Sequence, residues 1–127
     1  MEAQHTSSHR MALRVLVVES EPEEMLFLHD VLTELDGSRE WSQWTQVEAA
    51  YADSWRDAAA MLTAGRFDVV VLSLDLNDSH GRETFLRYQA VAPQIPAVLL
   101  VSEPVLAESL LREGAQDFLL RGQVDCA

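Results

Sequence analysis

Apolar residues recur along the chain with two different periods. Residues Leu13–Val18 form a mostly β-branched and apolar run, which predicts a buried first strand. The segment that follows has apolar residues at spacings of three and four: Met25, Leu28, Leu32 and Leu35. This spacing predicts a first helix, which starts at Pro22 and ends near Asp36-Gly37.

The same patterns predict four more strands and three more helices. The strands are expected at Thr45–Ala52, Val69–Leu74, Ala97–Val101 and Phe118–Leu120. The helices are expected after Ser54 as far as Gly65, at Arg82–Val91 and at Pro104–Glu113. Residues 75–81 are expected to form a loop.

Strands and helices therefore alternate four times. This alternation predicts an α/β fold with a parallel sheet, helices on both faces and right-handed crossovers. Residues 1–12 are polar and lack periodicity, so they are expected to be a disordered leader. Residues 13–127 are expected to form one domain.

The charge of the chain excludes several classes of partner. The 127 residues carry a net charge of −12, with 21 acids against nine bases, and every base is arginine. Binding to nucleic acid or to an anionic membrane draws on clustered Lys and Arg, so neither partner is expected. The absence of a secretory signal and the single Cys126 favour the reducing cytoplasm.

Candidate ligand chemistry lies beyond the carboxyl ends of the strands, where open parallel sheets bind ligands. The polar residues expected there are Glu19, Ser20, Glu21, Ser73, Asp75, Asn77, Asp78, Ser102, Glu103 and Arg121. Such carboxylates can bind a hard cation such as Mg²⁺, act as an acid/base pair, or be ordinary loop residues. The sequence lacks Gly-x-Gly-x-x-Gly, a P-loop, Gly-x-Ser-x-Gly and zinc-type spacing, so no enzymatic activity is expected.

Several local motifs together resemble one family. They are Phe67-Asp68-Val69-Val70-Val71-Leu72, Gly81-Arg82-Glu83-Thr84-Phe85, Val91-Ala92-Pro93, Ile95-Pro96 and Glu113-Gly114-Ala115-Gln116-Asp117-Phe118-Leu119. With these motifs the chain resembles the receiver domain of bacterial response regulators, over about residues 14–124. The resemblance implies a flavodoxin-like sheet of five parallel strands in the order 2-1-3-4-5. It also implies a role in the phosphorelay of two-component signalling.

The receiver family uses five site positions, and this sequence departs from them. The acidic pair that binds Mg²⁺ is matched by Glu19 and Ser20. The phosphoacceptor aspartate is matched by Ser73, counting forward from Asp68 or back from Gly81. The hydroxyl residue that ends the fourth strand is matched by Val101, with Ser102 one place later, and the lysine position is occupied by Arg121.

These departures predict an inactive site, a pseudo-receiver. A serine hydroxyl is a weaker nucleophile than a carboxylate unless a base activates it, and Val101 cannot donate a hydrogen bond to a phosphoryl oxygen. The chain is therefore expected to signal through a protein partner or another signalling domain, without phosphorylation and without a required cofactor.

Asp75 leaves an alternative open. It lies two residues after Ser73, and a shift of two residues keeps the same face of a strand. Asp75 could then be the phosphoacceptor of a divergent working receiver. Alternatively Ser73 keeps its place, and Glu19 and Asp75 together bind Mg²⁺ weakly without phosphorylation.

The resemblance also implies a fifth helix, for which only residues 122–127 follow Arg121. Six residues are too few for a stable helix, so part of the sheet beside the first helix is expected to be uncovered. That surface predicts self-association or docking onto another domain; alternatively, the chain is one part of a longer signalling protein. Further candidate contacts are the fourth helix with the fifth strand, and Trp41 and Trp44, which can equally be core residues.

Overall fold

The computed structural model describes residues 11–37 and 45–120. Several predicted features lie outside these residues: positions 1–10 of the leader, Trp41, Trp44, Arg121 and Cys126. Within the described ranges, no helix is long and apolar enough to span a membrane.

Seven strands and four helices make up the described part of the chain. In order they are β1 (Met11–Val18), α1 (Pro22–Asp36), β2 (Thr45–Ala52), α2 (Trp55–Ala64), β3 (Val69–Ser73), β4 (Asp75–Leu76), β5 (Ser79–His80), α3 (Arg82–Val91), β6 (Ala97–Val101), α4 (Pro104–Arg112) and β7 (Asp117–Leu120).

Five of the strands form one parallel sheet in the order β2-β1-β3-β6-β7. Since β4 and β5 form a separate antiparallel hairpin, this is the predicted order 2-1-3-4-5. The predicted α/β fold is thereby confirmed.

Some boundaries differ from those predicted. β1 begins at Met11, so residues 11 and 12 belong to the sheet and not to a leader. β3 ends at Ser73, one residue early, because the Ser73 hydroxyl accepts a hydrogen bond from the backbone N–H of Asp75 (3.2 Å) and the chain turns. The loop predicted after it contains the short β4–β5 hairpin.

Local chemistry sets the helix ends. The Ser54 hydroxyl accepts a hydrogen bond from the N–H of Asp57 (3.1 Å) and caps α2, as predicted. Pro22 and Pro104 occupy the first turns of α1 and α4, where no N–H is needed. Gly114 follows α4 with φ of +116°, a conformation that L side chains rarely adopt.

The edge strand β2 is fastened to the end of α1. Asp36, the last residue of α1, accepts a hydrogen bond from the backbone N–H of Val47 through its carboxylate (2.7 Å). A ladder hydrogen-bond donor of an edge strand is thus occupied by a side chain.

The two faces of the sheet are covered unequally. On one face α2, α3 and α4 bury Leu16, Val70, Leu72 and Leu99 completely. On the other face α1 packs through Leu28 against Val15, Val17 and Leu100, and neighbouring residues of β3 stay partly exposed. The larger core therefore lies on the three-helix side.

Candidate functional site

The carboxyl ends of β1, β3 and β6 meet at one edge of the sheet. Val18 is in register with Leu72, and Ser73 is in register with Leu100. The residues that follow these strands, which were predicted to form the site, are therefore neighbours. The loops after β1, β3 and β6 form the candidate site, and a cavity lies between the last two.

Glu19 is turned into this edge and not into solvent. Its residue surface is 1% exposed, and its carboxylate accepts a hydrogen bond from the backbone N–H of Glu21 (3.0 Å). Its own backbone N–H donates to the carbonyl of Ala52 (3.0 Å). The one acid present at the predicted acidic pair thus also fixes the turn after β1.

Ser20 connects three loops. Its hydroxyl donates a hydrogen bond to the carbonyl of Asp53 (2.6 Å) and accepts one from the backbone N–H of Asn77 (2.9 Å). Asp53 follows β2, and Asn77 lies in the β4–β5 turn. An ionised carboxylate at this position could not donate to the Asp53 carbonyl, so the serine has a bonding role that an aspartate cannot reproduce.

Ser73 ends β3 and is fully buried. Its hydroxyl accepts the Asp75 N–H, as described above, and lies 3.4 Å from the Asp75 carbonyl. The serine at the predicted phosphoacceptor position is therefore engaged with the backbone of the turn that follows it.

Asp75 is exposed and opens β4. One carboxylate oxygen accepts a hydrogen bond from the Ser102 hydroxyl at 3.3 Å, so the structure brings together two of the predicted site residues. Val101, the other candidate at the switch position, is 1% exposed and belongs to the core. Asp75 and Ser102 line a cavity of about 370 Å³ with His80, Glu103 and Leu106.

Asp78 has a role that the sequence did not reveal. Its carboxylate accepts hydrogen bonds from the backbone N–H groups of Trp55 (2.8 Å) and Arg56 (3.0 Å), the first residues of α2. Desolvation acts to raise the pKa of Asp78, but these bonds and the nearby Arg87 outweigh it, so the pKa lies below its ordinary value. Asp78 is 22 residues or more from the N–H groups that it caps, and no local pattern predicts such a pair.

A second unpredicted contact lies beneath the hairpin. The buried Thr84 hydroxyl donates to the Ser79 hydroxyl (2.8 Å). With Ser20 and Asp78, this contact fastens the β4–β5 hairpin to the elements around it.

The donor set for a metal ion is limited. In residues 11–37 and 45–120, no group of three or more His, Cys, Asp or Glu side chains is placed to hold one. Glu19 and Asp75, the two predicted ligands, follow β1 and β3, and the Ser20 hydroxyl is bonded to two backbone groups.

Solved structures of receiver domains have the same fold as this chain. The signal receiver domain of a protein described as a Luxo repressor, from Vibrio parahaemolyticus, is 19% identical with a TM-score of 0.68, and the match covers 88% of this chain and 80% of that one. The non-phosphorylated HemR receiver domain from Leptospira biflexa is 25% identical with a TM-score of 0.64, covering 87% and 82%.

The receiver domain of a sensor histidine kinase from Pseudomonas aeruginosa is 16% identical with a TM-score of 0.68, covering 87% and 86%, and holds a magnesium ion in its active-site cleft. No protein-family model and no curated protein matches the sequence. The resemblance to response regulator receiver domains, predicted from the sequence motifs, is confirmed by these structures at the level of the fold.

Proposed function

We propose that this chain, which has the fold of response regulator receiver domains, is a signalling module that works by binding a protein partner without being phosphorylated. By sequence position, Ser73 matches the phosphoacceptor, Val101 (with Ser102 one place later) the switch residue and Arg121 the lysine, and these matches would replace groups needed for phosphoryl chemistry. We further propose that the module is cytoplasmic and is not an enzyme.

The bonding of Ser20 carries the proposal. Its hydroxyl links the loops after β1, β2 and β3, and the first and last of these belong to the candidate site that a phosphoryl group and its cation would have to enter. Hydrogen bonds within the protein thus occupy the edge of the sheet, and they favour one fixed arrangement of these loops.

A second candidate function is favoured by Asp75. Its carboxylate is exposed, borders the 370 Å³ cavity and lies beside the Ser102 hydroxyl. In this alternative, Asp75 accepts a phosphoryl group from a donor, with Mg²⁺ held weakly by Glu19 and Asp75.

Intact-mass spectrometry after incubation with acetyl phosphate and Mg²⁺ tests the proposal. The parent chain and its Asp75→Asn variant are compared, and a phosphorylatable receiver domain serves as the positive control. We expect no phosphoryl adduct on either form of this chain.

Two other results would contradict the proposal in different ways. A hydroxylamine-labile adduct that disappears in Asp75→Asn would establish the divergent working receiver. A hydroxylamine-resistant adduct that persists in Asp75→Asn would indicate a hydroxyl such as Ser73 as the acceptor.

A further inference from the structure

The sheet face that carries α1 has an apolar surface that no described element covers. Side chains alternate between the two faces of a strand, so Val71 and Val98 point to the face of α1, and Val70, Leu72 and Leu99 point to the face of α2–α4. The first two are partly exposed, whereas the other three are fully buried.

The surface is a groove with two walls. One wall is the flank of α1 that points away from β2, and the other is β7. The residues that form the open groove are Phe27, Val31, Leu35, Val71, Val98 and Leu119. Val31 and Leu119 are each 42% exposed and Leu35 is 37% exposed, so the walls as well as the floor retain apolar surface in contact with water.

The dimensions of the open groove match a helix. Two strand spacings, from β3 across β6 to β7, span roughly 10 Å, and a helix with its side chains is about 10–12 Å wide. A helix is also the element that covers the rest of this sheet on both faces.

The charges around the open groove are negative. Glu23 and Glu34 lie on the α1 flank, and Asp117 lies on β7. Among the described residues of these walls there is no lysine or arginine. A second copy of the chain would bring another net charge of −12 against this border, which disfavours self-association.

We propose that the open groove binds an amphipathic helix of a partner protein, whose apolar stripe is flanked by arginine or lysine. The apolar stripe covers Val71, Val98 and Leu119, and the basic flanks pair with the acids of α1 and β7. This inference rests on the proposed function, because it specifies the chemistry of the partner of an interaction module.

Synthetic helical peptides test this proposal directly. One peptide has the 15-residue length of α1, a leucine stripe and lysine flanks, and its twin has the same stripe with glutamate flanks. Binding to the full chain is measured by fluorescence anisotropy, and the binding surface is mapped from amide shifts in NMR spectra. We expect saturable binding of the basic peptide alone, weakening with salt, with shifts in β3, β6, β7 and α1.

A charge-neutral double variant, Val31→Gln with Leu119→Thr, removes apolar surface from both walls. We expect it to weaken binding of the basic peptide by about tenfold. Leu86→Gln is the matched control, since Leu86 is 48% exposed on α3, on the other side of the sheet, and its affinity should stay within about twofold of the parent.

Several results would overturn the inference. Equal affinity for the two peptides would remove the charge argument, and shifts confined to α4 would place the site elsewhere. Absence of binding up to about 1 mM would contradict the proposal that the open groove binds a helix. A dimer of the parent that Val31→Gln with Leu119→Thr dissociates would mean that a second copy occupies the groove. None of these results depends on phosphoryl uptake, so failure here is distinguishable from failure of the proposed function.

Discussion

Individual polar side chains at the carboxyl edge hold the loops together. The Ser20 hydroxyl donates one hydrogen bond and accepts another. The Asp78 carboxylate accepts hydrogen bonds from two backbone N–H groups. Both residues were expected in loops that could bind a ligand. In the structure each of them joins segments that are far apart in the sequence.

Ser20→Ala should therefore reduce stability. The substitution leaves the Asp53 carbonyl and the Asn77 N–H without this partner, and we expect the free energy of unfolding to fall by about 1–2 kcal/mol. Urea denaturation followed by circular dichroism measures the change. Ser102→Ala is the control, because the exposed Ser102 hydroxyl has one longer bond and should cost less than about 0.5 kcal/mol. Equal losses in the two variants would contradict the linking role of Ser20.

Asp78 gives stability a defined pH dependence. Its pKa in the folded chain lies below the ordinary value of 3.8, so the fold favours the ionised carboxylate. The resulting stabilisation is present above pH 4 and is lost as the pH falls through the folded-state pKa.

Asp78→Asn should thus be less stable than the parent at pH 7, and the difference should shrink towards pH 3. Urea titrations at both pH values measure it, with Asp30→Asn, an exposed position on α1, as the control. A difference of the same size at both pH values would show that the Asp78 carboxylate does not titrate with folding.

Secondary-structure elements were predicted best where their patterns are local. The bounds of β2, α3 and β6 are those expected from the sequence, because alternation, helical spacing and a following proline each act over a few residues. The β4–β5 hairpin was missed, since two-residue strands contain no period to detect. Its position depends on long-range bonds such as the one between Ser20 and Asn77.

For the candidate site too, local sequence patterns could be used for prediction, and long-range contacts could not. Counting from Asp68 and Gly81 matched Ser73 to the phosphoacceptor position, and this match stays a prediction, whereas β3 ends at Ser73, one residue before the predicted end at Leu74. The partners of Ser20 and Asp78 could not be derived in this way, because they are 22 residues or more away in sequence and meet only in the folded chain.

The turn after α4 depends on its glycine. Gly114→Ala places a Cβ atom at a φ of +116° and 3.2 Å from Nε2 of Gln89, so we expect a loss of about 1–3 kcal/mol. Gly37, which follows α1, has a φ of −85°, and a Cβ atom added there would lie 3.6 Å from its nearest neighbour. Gly37→Ala should therefore change stability by less than about 1 kcal/mol. Thermal unfolding compares the two, and a similar melting temperature for both variants would contradict the role of the left-handed turn.

At the scale of the whole molecule, the net charge opposes the compact state. The chain has 21 acids and only nine arginines. The described ion pairs lie at the surface: Arg14 with Glu48, Arg82 with Glu113 and Arg87 with Glu83. Repulsion among the remaining acids is screened by salt, since the Debye length falls from about 30 Å at 0.01 M to about 3 Å at 1 M.

The melting temperature should therefore rise between 10 mM and 300 mM NaCl. Calorimetry at pH 7 measures it, and the same scan at pH 5, where fewer acids are ionised, should give a smaller rise. A melting temperature that falls with salt at pH 7 would mean that the surface ion pairs outweigh the repulsion.

The hydrogen bond between the Asp36 carboxylate and the Val47 N–H has a consequence for the aggregation of the protein. An edge strand with free donors can recruit the edge of another molecule, and such pairing begins fibres and precipitates. Asp36 occupies one of these donors on β2 and holds the strand beneath the end of α1. We therefore expect the carboxylate that positions this strand also to reduce edge-to-edge aggregation of the chain.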